Sequence, residues 1–180
     1  MYIPKTAYTQ VACNSILHRL GIEPGTAMQK PIVIPEEFHT LRRGCFVSLH
    51  EKCGKLRGCI GTIYPQEKNL YFEISRNALS AAFNDHRFSP LTSEEFENLE
   101  VSVDVLTSPE SIFSINGLDP QIFGVIVSDF NDNRAVLLPG IPGVDTIEKQ
   151  ISIVKRKAGI CKQTSWEELD IMRFTSNRYK

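Results

Sequence analysis

The chain lacks an excess of charge, a long apolar run and any paired-cysteine motif. Its 180 residues carry 20 Lys and Arg against 21 Asp and Glu. Phosphate backbones are usually held by clustered cations. The one basic run, Lys155-Arg156-Lys157, reads as a solvated helix face, so nucleic-acid binding is disfavoured. No stretch approaches ~18 apolar residues, so no membrane span is expected. The opening MYIPKTAYTQ has no apolar core of a signal peptide. The five cysteines, Cys13, Cys45, Cys53, Cys59 and Cys161, are odd in number and none is in C-x-x-C spacing. Zinc knuckles and thioredoxin-type motifs are therefore unsupported, and no metal or cofactor is implied. These absences describe a soluble cytoplasmic protein with free thiols. There is also no repeat, no low-complexity tract and no flexible linker. Residues 1–180 are accordingly expected to be one domain that unfolds as one unit.

What is present is ordinary globular composition, with 42% hydrophobic and 23% charged residues. Residues 6–20 have helical spacing through Val11, Ile16, Leu17 and Leu20, with Gly21 as a stop. Pro24-Gly25 opens a loop that runs through Pro31 and Pro35, and Glu36 to Leu41 suits a short helical turn. Residues 44–50 and 55–62 read as a hairpin around Cys53-Gly54. Asn69 to Phe83 is an amphipathic helix, broken by residues 84–90. Thr92 and Glu95 have capping-box spacing before another helix. Val101, Val103 and Val105 alternate with Ser102 and Asp104, as in a half-buried strand with a polar face. Phe123–Val127 and Ala135–Leu138 are strands around an Asn131-Asp132-Asn133 turn. Asp145 or Thr146 caps a helix that ends at Gly159, and 169–174 is a last strand. Hairpins outnumber strand–helix alternations. The class is therefore α+β, a largely antiparallel sheet with flanking helices.

The most unusual segment is Leu56-Arg57-Gly58-Cys59-Ile60-Gly61-Thr62. Two glycines weaken a strand and usually mark a bulge or a close approach. Strict alternation places Arg57, Cys59 and Gly61 on one face, setting a cation beside a thiol. A neighbouring cation favours the reactive thiolate, which makes Cys59 the candidate nucleophile or soft ligand. The plain alternative is a small thiol filling a tight sheet. Arg57 suits either a clamp on a carboxylate or phosphate, or a structural ion pair with Asp85 or Asp104. After a helix end, Asp85 suits either a pair with Arg87 or a cap on backbone amides, with Phe88 as a core plug. A Cys59–His50 dyad needs a tight hairpin, and His18 and His39 show no partner. The LLPGIPGV segment is a connector; no G-K-[ST] follows to make it a phosphate loop.

LRGCIGT resembles the signature of the AMMECR-domain family. GCFVSLH, NALSAAFNDHRFSPLT, LEVSVDVLTSPE, LDPQIFGVIV, LLPGIPGVDTIEKQISIVKRKAGI and MRFTSNRYK, in this order, are similar to its bacterial branch, the A component of AmmeMemoRadiSam systems. The likeness runs over about residues 5–180. It implies a compact two-lobed α/β unit with a cleft near the motif. It further implies functional association with Memo-like proteins of the extradiol-dioxygenase superfamily and with radical-SAM enzymes. Two positions depart from the pattern: His86 stands where relatives often have Pro, and Phe123 where Tyr is common. His86 is therefore a poor family-wide base, and a phenol at 123 is not required.

The site expected from these residues holds Cys59 as the catalytic candidate, with Arg57, Gly58, Gly61, Thr62, Asp85 and Arg87 as substrate-binding candidates. The corresponding function is an enzyme or enzyme accessory that handles a small molecule in that cleft. The alternative is a protein-interaction or regulatory scaffold without catalysis.

Overall fold

A computed structural model of the chain describes residues 3–23 and 32–180. The loop expected between Pro24-Gly25 and Pro31 lies outside the described residues. In chain order the helices are α1 (Ala7–Leu20), α2 (Glu37–Thr40), α3 (Leu70–Phe83), α4 (Ser93–Phe96) and α5 (Ile147–Ala158). The strands are β1 (Cys45–Glu51), β2 (Leu56–Thr62), β3 (Leu99–Leu106), β4 (Glu110–Ser111), β5 (Gly124–Ser128), β6 (Arg134–Leu137), β7 (Asp170–Phe174) and β8 (Ser176–Tyr179). The fold is α+β with two antiparallel sheets. Contacts divide it into two compact units, Met1–Leu106 with Asn177–Lys180, and Thr107–Ser176. No described helix is long and apolar enough to cross a membrane.

The first unit is built on a sheet of order β2-β1-β3-β8. Alternation along β1 sends Val47 and Leu49 to one face, where they meet Val101 and Val103 of β3. Ile16 and Leu17 of α1 and Leu70, Ile74 and Ala78 of α3 close this core. Thr6 and Asn69 cap the two helices, and Gly21 ends α1 in a left-handed conformation. The second sheet has order β4-β7-β5-β6. α5 packs on β5 and β6 through Ile151 and Val154. Thr146, the alternative to Asp145, accepts from the Lys149 amide at 3.2 Å and caps α5, while Gly159 at φ 73° ends it.

Two sequence expectations change, and the polar face of β3 is paired rather than solvated: Asp104 is only 3% exposed and is gripped by both arms of Arg178, at 2.9 and 3.0 Å. Arg178 belongs to β8, a short polar strand without sequence periodicity, whose Tyr179 stacks on Tyr8 with ring centroids 3.6 Å apart. Lys155 is not on a solvated helix face either. It is buried, and its ammonium donates to the backbone oxygens of Lys162 and Thr164. The helix expected from Thr92 is a single turn, though its capping box forms as the spacing predicts.

The two strand glycines serve close approach. A Cβ at Gly58 would lie 2.2 Å from the Ala81 carbonyl oxygen at the end of α3. At Gly61 it would lie 2.3 Å from the Phe46 ring. The Phe46 ring can turn aside, but the Cys45 carbonyl oxygen, 2.6 Å from a Gly61 Cβ, and the Ala81 carbonyl move only with their backbone. Gly58→Ala should therefore destabilise by about 1–3 kcal/mol. An unchanged urea midpoint would show that α3 does not press on β2 there.

Candidate functional site

β2 is an edge strand, so half of its amide and carbonyl groups have no strand partner. Cys59 is supplied with one made of side chains. Its N–H donates to Asp85 Oδ2 at 2.9 Å, and its carbonyl accepts from Arg87 Nη2 at 3.3 Å. Asp85 and Arg87 are joined in turn, Nε to Oδ1 at 2.9 Å and Nη2 to Oδ2 at 2.6 Å. The Arg87 amide also donates to Oδ1 at 3.2 Å. Asp85 is 3% exposed. The Arg87 guanidinium, helped by the Cys59 and Arg87 amides and opposed by burial, holds its carboxyl well below the usual carboxylate range. Asp85 conversely raises the Arg87 pKa, with a smaller push from the Cys59 sulfur.

Arg57 does not stand beside the thiol. The β1–β2 register pairs Leu49 with Gly58 but His50 with Leu56, leaving Arg57 as the extra residue of a bulge. Its guanidinium, 6% exposed as a residue, forks onto Glu95 with both bonds at 2.9 Å and donates to the Ser89 carbonyl at 2.9 Å. Its Nη1 is buried without a hydrogen-bond partner. The partner is thus Glu95, not the expected Asp85 or Asp104, and Arg57 holds the Glu95 carboxyl below its ordinary range. Phe88 is not a core plug. Half-buried, it offers its ring to both Arg57 and Arg87, 5.7 and 5.4 Å from the centroid.

Thr62 faces the helices. Its hydroxyl donates to Glu73 Oε1 and accepts from Asn77 Nδ2 at 3.2 Å. Glu73, fully buried, accepts the Gln66 and Glu67 amides at 2.8 and 2.7 Å. Glu73 and Asn77 fall three and seven residues after Leu70, on the stripe that carries Ile74 and Ala78. Polar residues at those spacings were the available signal for this network.

The opposite face carries the thiol. Cys59 pairs with Ser48, and Ser48 with Ser102, so three small polar side chains cross β2, β1 and β3 in a row. The Ser48 hydroxyl donates to Cys59 Sγ at 3.3 Å. Cys59 is half-buried. Ser102 lines a concavity of about 300 Å³ with Lys5, His50, Glu100, Arg178 and Lys180. Burial, then Arg178 and Lys180, lower the His50 pKa. His50 lies two residues along β1 from Ser48, which is the side-chain partner the hairpin gives Cys59. His86 is exposed. Among the described residues, no group of three His, Cys, Asp or Glu side chains is placed to hold a metal.

An antiparallel α+β protein with a pinned edge-strand thiol is the class these features define. The AMMECR1 family profile matches residues 9–179, and the chain belongs to that family. A Thermotoga maritima protein is 45% identical over 157 residues, 87% of this chain and 88% of that protein. A Clostridium acetobutylicum protein is 41% identical over 177 residues, 98% of this chain. The chain spans only 36% of that relative's length. The crystal structure of an uncharacterised Pyrococcus horikoshii protein superposes with a TM-score of 0.77 at 29% identity, covering 98% of this chain and 93% of that one.

Two expectations follow. Asp85→Ala leaves the Cys59 amide without its acceptor and should cost about 1–3 kcal/mol at neutral pH. Because the folded pKa of Asp85 is depressed, its contribution is complete above the unfolded value of about 4 and fades as pH falls toward the folded one. The gap between parent and variant should narrow on acidification below about pH 4; a constant gap in chemical unfolding would remove the charged pair as its source. The thiols give the second. Cys59 should be alkylated by iodoacetamide in the native protein, as should exposed Cys53 and Cys161. Buried Cys13 and Cys45 should resist, since burial raises both thiols, Cys45 to about 12. Arg87→Gln should slow Cys59 labelling, whereas Arg57→Gln should not, provided each variant remains folded. Labelling of Cys59 only after denaturation would end its candidacy as a nucleophile.

Proposed function

We propose that this protein handles a small anionic molecule on the polar face of the first sheet, as an enzyme or enzyme accessory. Cys59 is the reactive or ligating atom in this reading. It works alongside Memo-like proteins of the extradiol-dioxygenase superfamily and radical-SAM enzymes. The observation that carries this reading is the two-sided hold on the Cys59 peptide by Asp85 and Arg87. That hold fixes a half-exposed thiol on a rigid strand, and positional precision of this kind is what a reacting group needs. The row from Cys59 through Ser48 to Ser102 leads toward the concavity lined by Lys5, Arg178 and Lys180. With Arg178 matched by Asp104, Lys5 and Lys180 against Glu100 leave the concavity a positive balance that favours an anion. Arg87, whose side chain is 47% exposed, can meet an anionic group while still holding Asp85. Gly58 and Thr62 face the helix behind the strand and Arg57 serves Glu95, so these three support the strand rather than the ligand, while Gly61 shares the thiol's face beside Phe46.

A second reading, an interaction module without catalysis, is favoured by two aromatic rings on the second unit. Phe113 and Phe130 are 94% and 90% exposed. One experiment separates the two. A strain deleted for this gene is complemented with the parent, with Cys59→Ser or with Phe113→Ser/Phe130→Ser, and its metabolites are profiled beside deletions of the Memo-like and radical-SAM genes. The small-molecule reading expects folded Cys59→Ser to reproduce the deletion profile. Full complementation by Cys59→Ser, with failure of the double Phe variant, would pass the function to the interaction surface.

A further inference from the structure

The second unit contains a groove of about 680 Å³ between α5 and the 160–166 segment that follows it. This volume lies within the range of small-molecule sites. Ile115, Ile151, Ile160 and Trp166 give it an apolar wall. The same wall carries Lys155 and Arg156. Lys155 is 7% exposed, and an ammonium has three N–H donors. Two acceptors are given to it, the backbone oxygens of Lys162 and Thr164, both neutral. Among the described residues no carboxylate is paired with it. Held only by neutral carbonyls, this ammonium has no countercharge of its own, and attraction to an anion is stronger in a poorly solvated place than in water. Arg156 and Lys162 line the same groove against the single carboxylate of Glu148, so its balance of charge is positive.

We propose that this groove binds a small organic anion with an apolar body. Its carboxylate meets Lys155 and Arg156, and its hydrocarbon lies against Ile151, Ile160 and Trp166. The charge and the apolar wall act on different parts of the occupant. A bare anion such as acetate, or an apolar cation, satisfies only one of them. This site is independent of the Cys59 site, because all of its residues belong to the second unit. It survives failure of the reading given for Cys59, and that reading survives failure of this one.

Trp166 is the only tryptophan in the chain and stands in the groove wall, so its fluorescence reports this site alone. The test is a titration of the full chain with octanoate, octylamine and acetate at neutral pH. Octanoate should change Trp166 emission saturably, with an affinity at least about tenfold better than octylamine or acetate. Lys155→Met, which keeps the apolar stem, should lose about tenfold or more in octanoate affinity. Because Lys155 also ties down the 162–164 carbonyls, Arg156→Gln is the second variant. Arg156 is exposed, and its replacement should weaken octanoate several-fold with the circular dichroism spectrum and melting temperature unchanged. The proposal is overturned by an unsaturable response to octanoate, by equal response to octylamine, or by undiminished octanoate affinity in folded Arg156→Gln.

Discussion

The edge of the first sheet depends on one carboxylate. An unpartnered strand edge exposes amides and carbonyls that invite pairing with any other extended chain. Asp85 and Arg87 meet this at Cys59 by offering one acceptor and one donor, the two groups a neighbouring strand would present. The arrangement requires α3 to end where it does, because Asp85 follows Phe83 by two residues and must reach back to β2. It also requires Gly58, since α3 can approach only where the strand has no side chain in the way of the Ala81 carbonyl. Helix length, glycine position and edge protection are thus parts of one geometric condition.

Charge is distributed along this edge in two separate pairs. Arg87 serves Asp85, and Arg57 serves Glu95, with the Phe88 ring lying near both cations. Glu95 is shared, because one of its oxygens also accepts the Thr92 amide and so closes the turn of α4. The bulge at Arg57 makes the division possible. It lets a cation of β2 turn to the 89–95 segment while Cys59, two residues on, keeps the Ser48 side of the sheet. The cation near the thiol therefore comes from the loop after α3 and not from the motif itself.

Much of this was legible in the amino-acid order. Period-3.6 and period-2 patterns located α1, α3, α5 and the β1–β2 and β5–β6 hairpins, and the cap at Thr92 and stops at Gly21 and Gly159 followed from local chemistry. The Asp85–Arg87 pair was also readable, since two residues of separation need no tertiary knowledge. What was hidden was long-range. Arg57 and Glu95 are 38 residues apart, and Asp104 and Arg178 are 74 apart. No spacing rule links such residues, and opposite charges are too common for composition to choose among them. The bulge was hidden for a related reason. Glycines signalled an irregularity, but only the partner strand fixes which residue is left over, and alternation assigned Arg57 to the wrong side. β8 escaped because four residues carrying two strong polar groups have no apolar period to detect.

That last strand has a consequence for synthesis. The chain leaves the first unit at Leu106 and returns at Asn177, so the whole second unit is spliced into the first. β3 acquires its outer neighbour only when residues 176–179 have been made. On a ribosome, where segments emerge in order, α1, α3 and three strands are available long before the fourth strand that completes them. During that interval Asp104 has no Arg178, and the β3 edge stands open while some seventy further residues are translated. The nascent first unit must therefore wait in an unfinished form. The second unit, whose strands and helix are contiguous in the chain, can assemble without waiting for anything downstream of it.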